Sequence, residues 1–277
     1  MLEKTEKTTP FFVKVAEFPL VQGPVLGAGV LALVTPLLKW TNHAYKGEKM
    51  PRGNYFAGAK ANALSAGPAY AATFGFKALL GKSPEETSEL YELLSSFAAG
   101  GLSGLAGTSF EAVAQNQQLT HSTSPQETAR QMYRHHGYGA FFQGAGAVML
   151  REGAWSTVYM TAIPMMSAGL QKQGVDKQLA DLVSMLAVAG SYGVLSSPLN
   201  QLRFRKQAGL TEPGQSKSYW EHTKDVFNQD PKASTMTRVG SFFKAALPRA
   251  ATTVFAAGLI VKGTELYNQA VDYCKPS

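Results

Sequence analysis

Residues 189–207 read AGSYGVLSSPLNQLRFRKQ, and two other stretches repeat the design: GAGVLALVTPLLKWTNHAY at 27–45 and AGGLSGLAGTSFEAVAQNQQ at 99–118. Each is a run of small and apolar residues, then a kink position, then a polar run. Placing Pro36, Ser109 and Pro198 in register aligns the small residues upstream. A second pattern follows each copy after a polar link: NYFAGAKANALSAGPAYAATFGF (54–76), AFFQGAGAVMLREGAWSTVYM (140–160) and SFFKAALPRAATTVFAAGLIV (241–261). Threefold recurrence at this scale marks a repeat architecture. The repeats are expected at 17–83, 88–172 and 178–270, with tails at 1–16 and 271–277.

Working outward, the charges avoid these stretches. No charged residue falls between Glu17 and Lys39, Glu92 and Glu111, Glu152 and Lys172, or Asp181 and Arg203. A helix needs about 20 residues to cross a bilayer core, and these gaps reach or approach that length. The segments 61–76 and 250–261 are shorter, with Lys60, Arg249 and Lys262 placed to snorkel or to face water. Only 16% of the 277 residues are charged, against about a quarter in soluble domains. The mean hydropathy of −0.10 would suit a soluble chain, so the placement of the charges decides the reading. Abundant Gly, Ala, Ser and Thr suit close helix packing in lipid. The expected fold is an all-α membrane protein of six transmembrane helices, in three pseudo-symmetric helix pairs around a central cavity. Pro within such helices bends them, so three bent helices would close one end. Short amphipathic helices are expected near Thr128–Arg134 and Tyr219–Phe227, lying on the membrane surface.

The net charge of +7 and pI near 9.3 suit anionic headgroups or anionic solutes. No basic base-reading helix or aromatic–basic motif points to nucleic acid. One cysteine, Cys274, excludes an intrachain disulfide framework and a Cys-rich metal site. His135 and His136 lack a third ligand nearby in sequence, and Gly100, Gly101 and Gly104 precede no Gly-Lys-Ser/Thr, so they read as packing glycines. No nucleophile–base set stands out. The N-terminus shows no cleavable signal peptide. No enzyme, cofactor or metal is expected.

The unit resembles that of the mitochondrial carrier family over nearly the whole chain. That family's signature places Pro, an acid and two bases at the end of each odd helix, often followed by Gln. The third copy matches with Pro198, Arg203, Arg205 and Gln207, and has Asn200 at the acid position. The second has Ser109, Glu111, Ala114, Asn116 and Gln118; the first keeps Pro36 but has Leu38 and Thr41. Phe56-Ala57-Gly58, Phe142-Gln143-Gly144 and Phe243-Lys244-Ala245 stand at the family's aromatic-base-Gly positions.

The resemblance implies a solute carrier working by alternating access in the mitochondrial inner membrane. The implied gate residues are Pro36, Thr41, Glu111, Gln118, Pro198, Asn200, Arg203 and Gln207. Mapped from copy to copy, the gate pairs become Thr41–Glu111, Ala114–Asn200 and Arg203–Leu38, none of them an ion pair. A second gate retains only Glu265. The family's contact points fall on Ser65, Arg151 and Thr252, with Glu152 beside Arg151 and with Lys60, Asn62 and Arg249 nearby. Arg151 is the expected anchor, because a guanidinium inside a membrane helix is costly unless it lines water or meets an anion. Adjacent helix positions diverge by about 100°, so Arg151 and Glu152 are not expected to pair with each other.

Arg followed by an acid at this point resembles carriers of amino acids and other zwitterions. The eroded signatures resemble carrier-type effectors that bacteria deliver into host mitochondria, which are associated with nucleotides. ATP/ADP is the first substrate to expect, an amino acid the second, and a non-transporting scaffold or insertase the rival class. The expected partners are that small metabolite and membrane lipid, cardiolipin among it, with the chain a monomer.

Overall fold

The computed structural model describes residues 19–80, 88–120, 122, 124–214 and 216–275, and every regular element in them is helical. The tail expected at 1–16, the outer ends of the first repeat and the last two residues lie outside the described residues. The helices are α1 (Pro19–Lys46), α2 (Ala59–Leu80), α3 (Glu89–Thr120), α4 (Pro125–His136), α5 (Ala145–Thr157) and α6 (Ile163–Lys172). They continue with α7 (Lys177–Ser184), α8 (Gly190–Leu195), α9 (Ser197–Gln207), α10 (Tyr219–Phe227), α11 (Thr235–Gly240) and α12 (Ala246–Tyr273). Single wide π turns, Val158–Ala162 and Met185–Ala189, join α5 to α6 and α7 to α8.

The long helices pack in chain order. α1 lies on α2, α2 on α3, α3 on α5 and α6 on α7, while α12 packs on both α8 and α1 and so closes the ring. Small residues set the approach of α3 to α5. A Cβ on Gly153 would stand 2.8 Å from the Phe97 carbonyl oxygen, and one on Gly104 would stand 2.9 Å from that of Val148. Gly144, at φ +81°, opens α5 from the left-handed region that side chains disfavour.

The burial pattern is inverted relative to a water-soluble bundle. Lys39, Arg151, Arg203, Arg249, Asn116, Asn200 and a series of glutamines are buried, whereas Leu33, Leu64, Leu150, Leu195, Leu247 and Phe255 are exposed. An apolar exterior around a polar interior is what a bilayer solvates. Three helical stretches, Val21–Lys46, Lys177–Leu195 and Thr235–Tyr273, are long and apolar enough to cross one. Together with this inversion they make the chain a membrane protein.

The kinks differ from expectation. Pro36 lies inside α1, where Thr35 bonds back to the Leu31 carbonyl at 2.8 Å. The third copy breaks at Ser196, just before Pro198. The middle copy has Ser109 in place of Pro, and α3 runs unbroken through it. Both expected amphipathic helices are present and capped. Ser124 accepts from the Glu127 amide, and Ser218 and Glu221 form a reciprocal capping box. The short α11 was not foreseen.

Candidate functional site: a charged central cavity

Inside the ring lies a cavity of about 430 Å³, lined from α1, α2, α3, α5 and α12. Six of the seven side chains expected to contact a substrate line it: Asn62, Ser65, Arg151, Glu152, Arg249 and Thr252. Lys60 does not; it is exposed and absent from the lining. Ser65 and Asn62 are one helical turn apart on α2, as are Thr252 and Arg249 on α12, so each pair shares a face. Lys60 sits five positions before Ser65, about 140° around the helix.

At the cavity floor, one carboxylate serves two guanidinium groups. Arg151 grips Glu111 with both prongs, Nη1 to Oε1 at 2.6 Å and Nη2 to Oε2 at 3.0 Å. Arg203 Nη1 donates to the same Oε1 at 2.5 Å and to Gln207 Oε1 at 3.0 Å. This corrects the expectation of a floor without ion pairs: the base of the third copy reaches back to the acid of the second. The mapped partner Thr41 instead donates to the Leu37 carbonyl and lies 3.4 Å from Thr252 Oγ1. A second correction concerns Arg151 and Glu152, whose Nε and Oε1 are 2.7 Å apart. Their Cβ atoms diverge, but both long side chains bend toward the same space.

Below this cluster a buried amide layer holds the helices together. Asn42 donates to Gln118 at 2.5 Å, Gln115 to the Phe204 carbonyl at 2.8 Å, and Asn116 to the Gln207 carbonyl at 2.7 Å. Asn200 donates to the Ser196 carbonyl at 3.0 Å. Of these, Asn42 and Gln115 were missed. The polar run EAVAQNQQ at the end of α3 was the available signal, since a membrane helix ending in buried amides needs partners for them. Glu265, expected in the second gate, pairs with Lys262 on its own helix at 2.5 Å and is exposed. Gln22 to Asn268, at 2.9 Å, ties α1 to α12 near that end.

Arg249 differs from the other two arginines. It is buried and lines the cavity, and its Nε has no hydrogen-bond partner. Among the described residues no carboxylate pairs with it. Three guanidinium groups therefore meet two carboxylates here, leaving a surplus positive charge. The wall beside Arg151 is aromatic. Trp155 lies with its ring centroid 5.3 Å from Tyr192 and 6.1 Å from Tyr159, and the Tyr192 hydroxyl donates to the Arg151 carbonyl at 2.7 Å.

No metal-ligand cluster occurs among the described residues. No curated protein matches the chain. Residues 85–174, covering α3 through α6, match the family model described as mitochondrial carrier protein. The charged cavity and the apolar exterior agree with this match, which covers less than half of the chain and supports membership of the mitochondrial carrier family, a family of membrane solute carriers.

Proposed function

We propose that the chain exchanges a small anionic metabolite, ATP/ADP in the first instance, across the mitochondrial inner membrane by alternating access. On this reading the long helical segments are six membrane spans in three helix-pair repeats. The observation that carries it is Arg249: a buried guanidinium with an unpartnered Nε, facing a polar cavity, is expensive unless an anion completes it. Arg151 is already saturated by Glu111 and Glu152, so Arg249 makes the first contact and Arg151 the second. A phosphate chain fits two guanidinium forks. The Trp155–Tyr159 wall offers a platform for a base. An anion arriving at Arg151 competes with Glu111, and its binding energy offsets the loss of that grip as the floor opens.

A second reading, an amino-acid carrier, rests on Glu152. Its carboxylate lies in the same cavity as Arg249, so both signs are available to a zwitterion.

The test is uptake of labelled ATP, and separately of labelled basic and neutral amino acids, into liposomes holding the purified protein. ATP uptake that unlabelled ADP competes away supports the nucleotide reading. Amino-acid uptake alone overturns it in favour of the second. Silence with folded protein overturns both and leaves a non-transporting scaffold.

A further inference from the structure

A second pocket, of about 420 Å³, lies where the ends of α1 and α9 meet α10 and the end of α4. It is separate from the central cavity and shares no lining residue with it. Lys46, His136, Arg205, Lys206, Lys217 and His222 line it, and Asp225 is the only acid that does. Two of these cations are already engaged. Lys217 pairs with Asp225 at 2.7 Å, and Lys46 lies 3.6 Å from Glu48. Lys206 donates only to neutral oxygens, Ser216 Oγ at 3.0 Å and the Lys217 carbonyl at 2.7 Å, and stands over the Tyr219 ring. Arg205 is half-buried, and its Nε is out of reach of water and has no acceptor.

A solvated basic face would leave such donors wet. Here a guanidinium nitrogen is enclosed without a partner beside a hollow, and a second cation next to it lacks a carboxylate. That combination costs free energy unless an anion returns it. Two cations without a paired carboxylate, a planar fork and a hollow too large for a lone carboxylate all favour a phosphate group. The burial of His222 and the charges of Lys206 and Arg205 hold its ring below the ordinary histidine range, which marks a field that a bound anion would relieve.

We propose that this pocket binds a phosphate-bearing anion through Arg205 and Lys206. The phosphate belongs either to a lipid headgroup or to a soluble ion.

The test uses the full chain purified in a neutral detergent, with thermal unfolding as readout and two probes, inorganic phosphate and phosphatidylglycerol. The expected result is a rise in melting temperature of several degrees with at least one probe. Arg205→Gln should need at least tenfold more probe for the same rise, and Lys206→Gln several-fold more. Lys262→Gln, at an exposed position on α12 outside both pockets, should respond like the unaltered chain. Response to phosphatidylglycerol alone assigns the site to lipid; response to inorganic phosphate assigns it to a soluble anion. If neither probe stabilises the protein, or if Arg205→Gln and Lys206→Gln respond unchanged, the proposal fails. A response lost in Arg249→Gln and retained in Arg205→Gln also overturns it, because the central cavity would then be the phosphate site.

Discussion

Arg151 and Glu111, forty residues apart on α5 and α3, form a two-pronged pair with oxygen–nitrogen distances of 2.6 and 3.0 Å, and Arg203 of α9 shares the same carboxylate. One carboxylate thus joins a position expected to contact the substrate to one expected at the gate. Its removal strands the buried Arg203 and takes from Arg151 its two-pronged partner, whereas removal of Glu152 strands none, because Arg151 keeps Glu111. Glu111→Gln is therefore expected to destabilise the protein by about 3–5 kcal/mol, the usual cost of breaking a buried pair. Glu152→Gln should cost far less. Thermal unfolding of the two variants in one detergent decides it, and equal losses would remove Glu111 from its central place.

The approach of α3 to α5 gives a packing prediction. A methyl group on Gly153 would press on the Phe97 ring and on the Phe97 carbonyl, which belongs to a helix backbone that cannot step aside. Gly153→Ala should cost about 1–3 kcal/mol, typical of overpacking. Gly146 on the same helix has open space at its Cβ position, so Gly146→Ala should be neutral or slightly stabilising. Denaturation midpoints that fail to separate the two would mean that the helices can slide apart.

Much of the cavity was legible because helical arithmetic is rigid. The family resemblance puts the contact points two turns beyond Gly58, Gly144 and the third copy's Ala245, at Ser65, Arg151 and Thr252, and all three line the cavity. Asn62 and Arg249, one turn earlier on two of these helices, follow by the same rule. Lys60 failed by that rule too, since nearness in sequence was allowed to stand for nearness on a face. The floor was less legible for a different reason. Pairing bases with acids copy by copy treats the side chains as fixed in length and direction. Arg203 and Arg151 are long enough to choose the nearest carboxylate, and only the folded ring brings Glu111 to both. Hydropathy alone finds three of the long helical segments and underrates the rest, whose cavity-facing residues are polar.

The surface helix α10 carries a pH prediction. His222 faces Lys206, Arg205, Lys217 and Asp225, and burial together with the two nearest cations lowers its pKa. The folded protein then binds fewer protons than the unfolded chain below the ordinary value of about 6.5. The stability contribution is full above that value and is lost as pH falls through the lowered one. A ring-proton titration by NMR should place the His222 midpoint below 6.5, and His222→Gln should flatten the stability profile in that window. A midpoint at or above 6.5 would mean that the cations do not act on the ring.

Arg249 and Arg151 make opposite predictions for their removal, and the difference separates binding from structure. Arg249 has an unpartnered Nε, so Arg249→Ala relieves an unpaired buried charge and leaves no carboxylate stranded. Its melting temperature should hold or rise while uptake of the anionic substrate falls by a hundredfold or more. Arg151→Ala should lose uptake as well, but with a lowered melting temperature, since Glu111 keeps only Arg203 and Glu152 keeps nothing. Measuring initial uptake rates and thermal unfolding on the same preparations tests both. Arg249→Ala transporting at the unaltered rate would remove the surplus charge from the substrate site, and the anionic reading of the cavity with it.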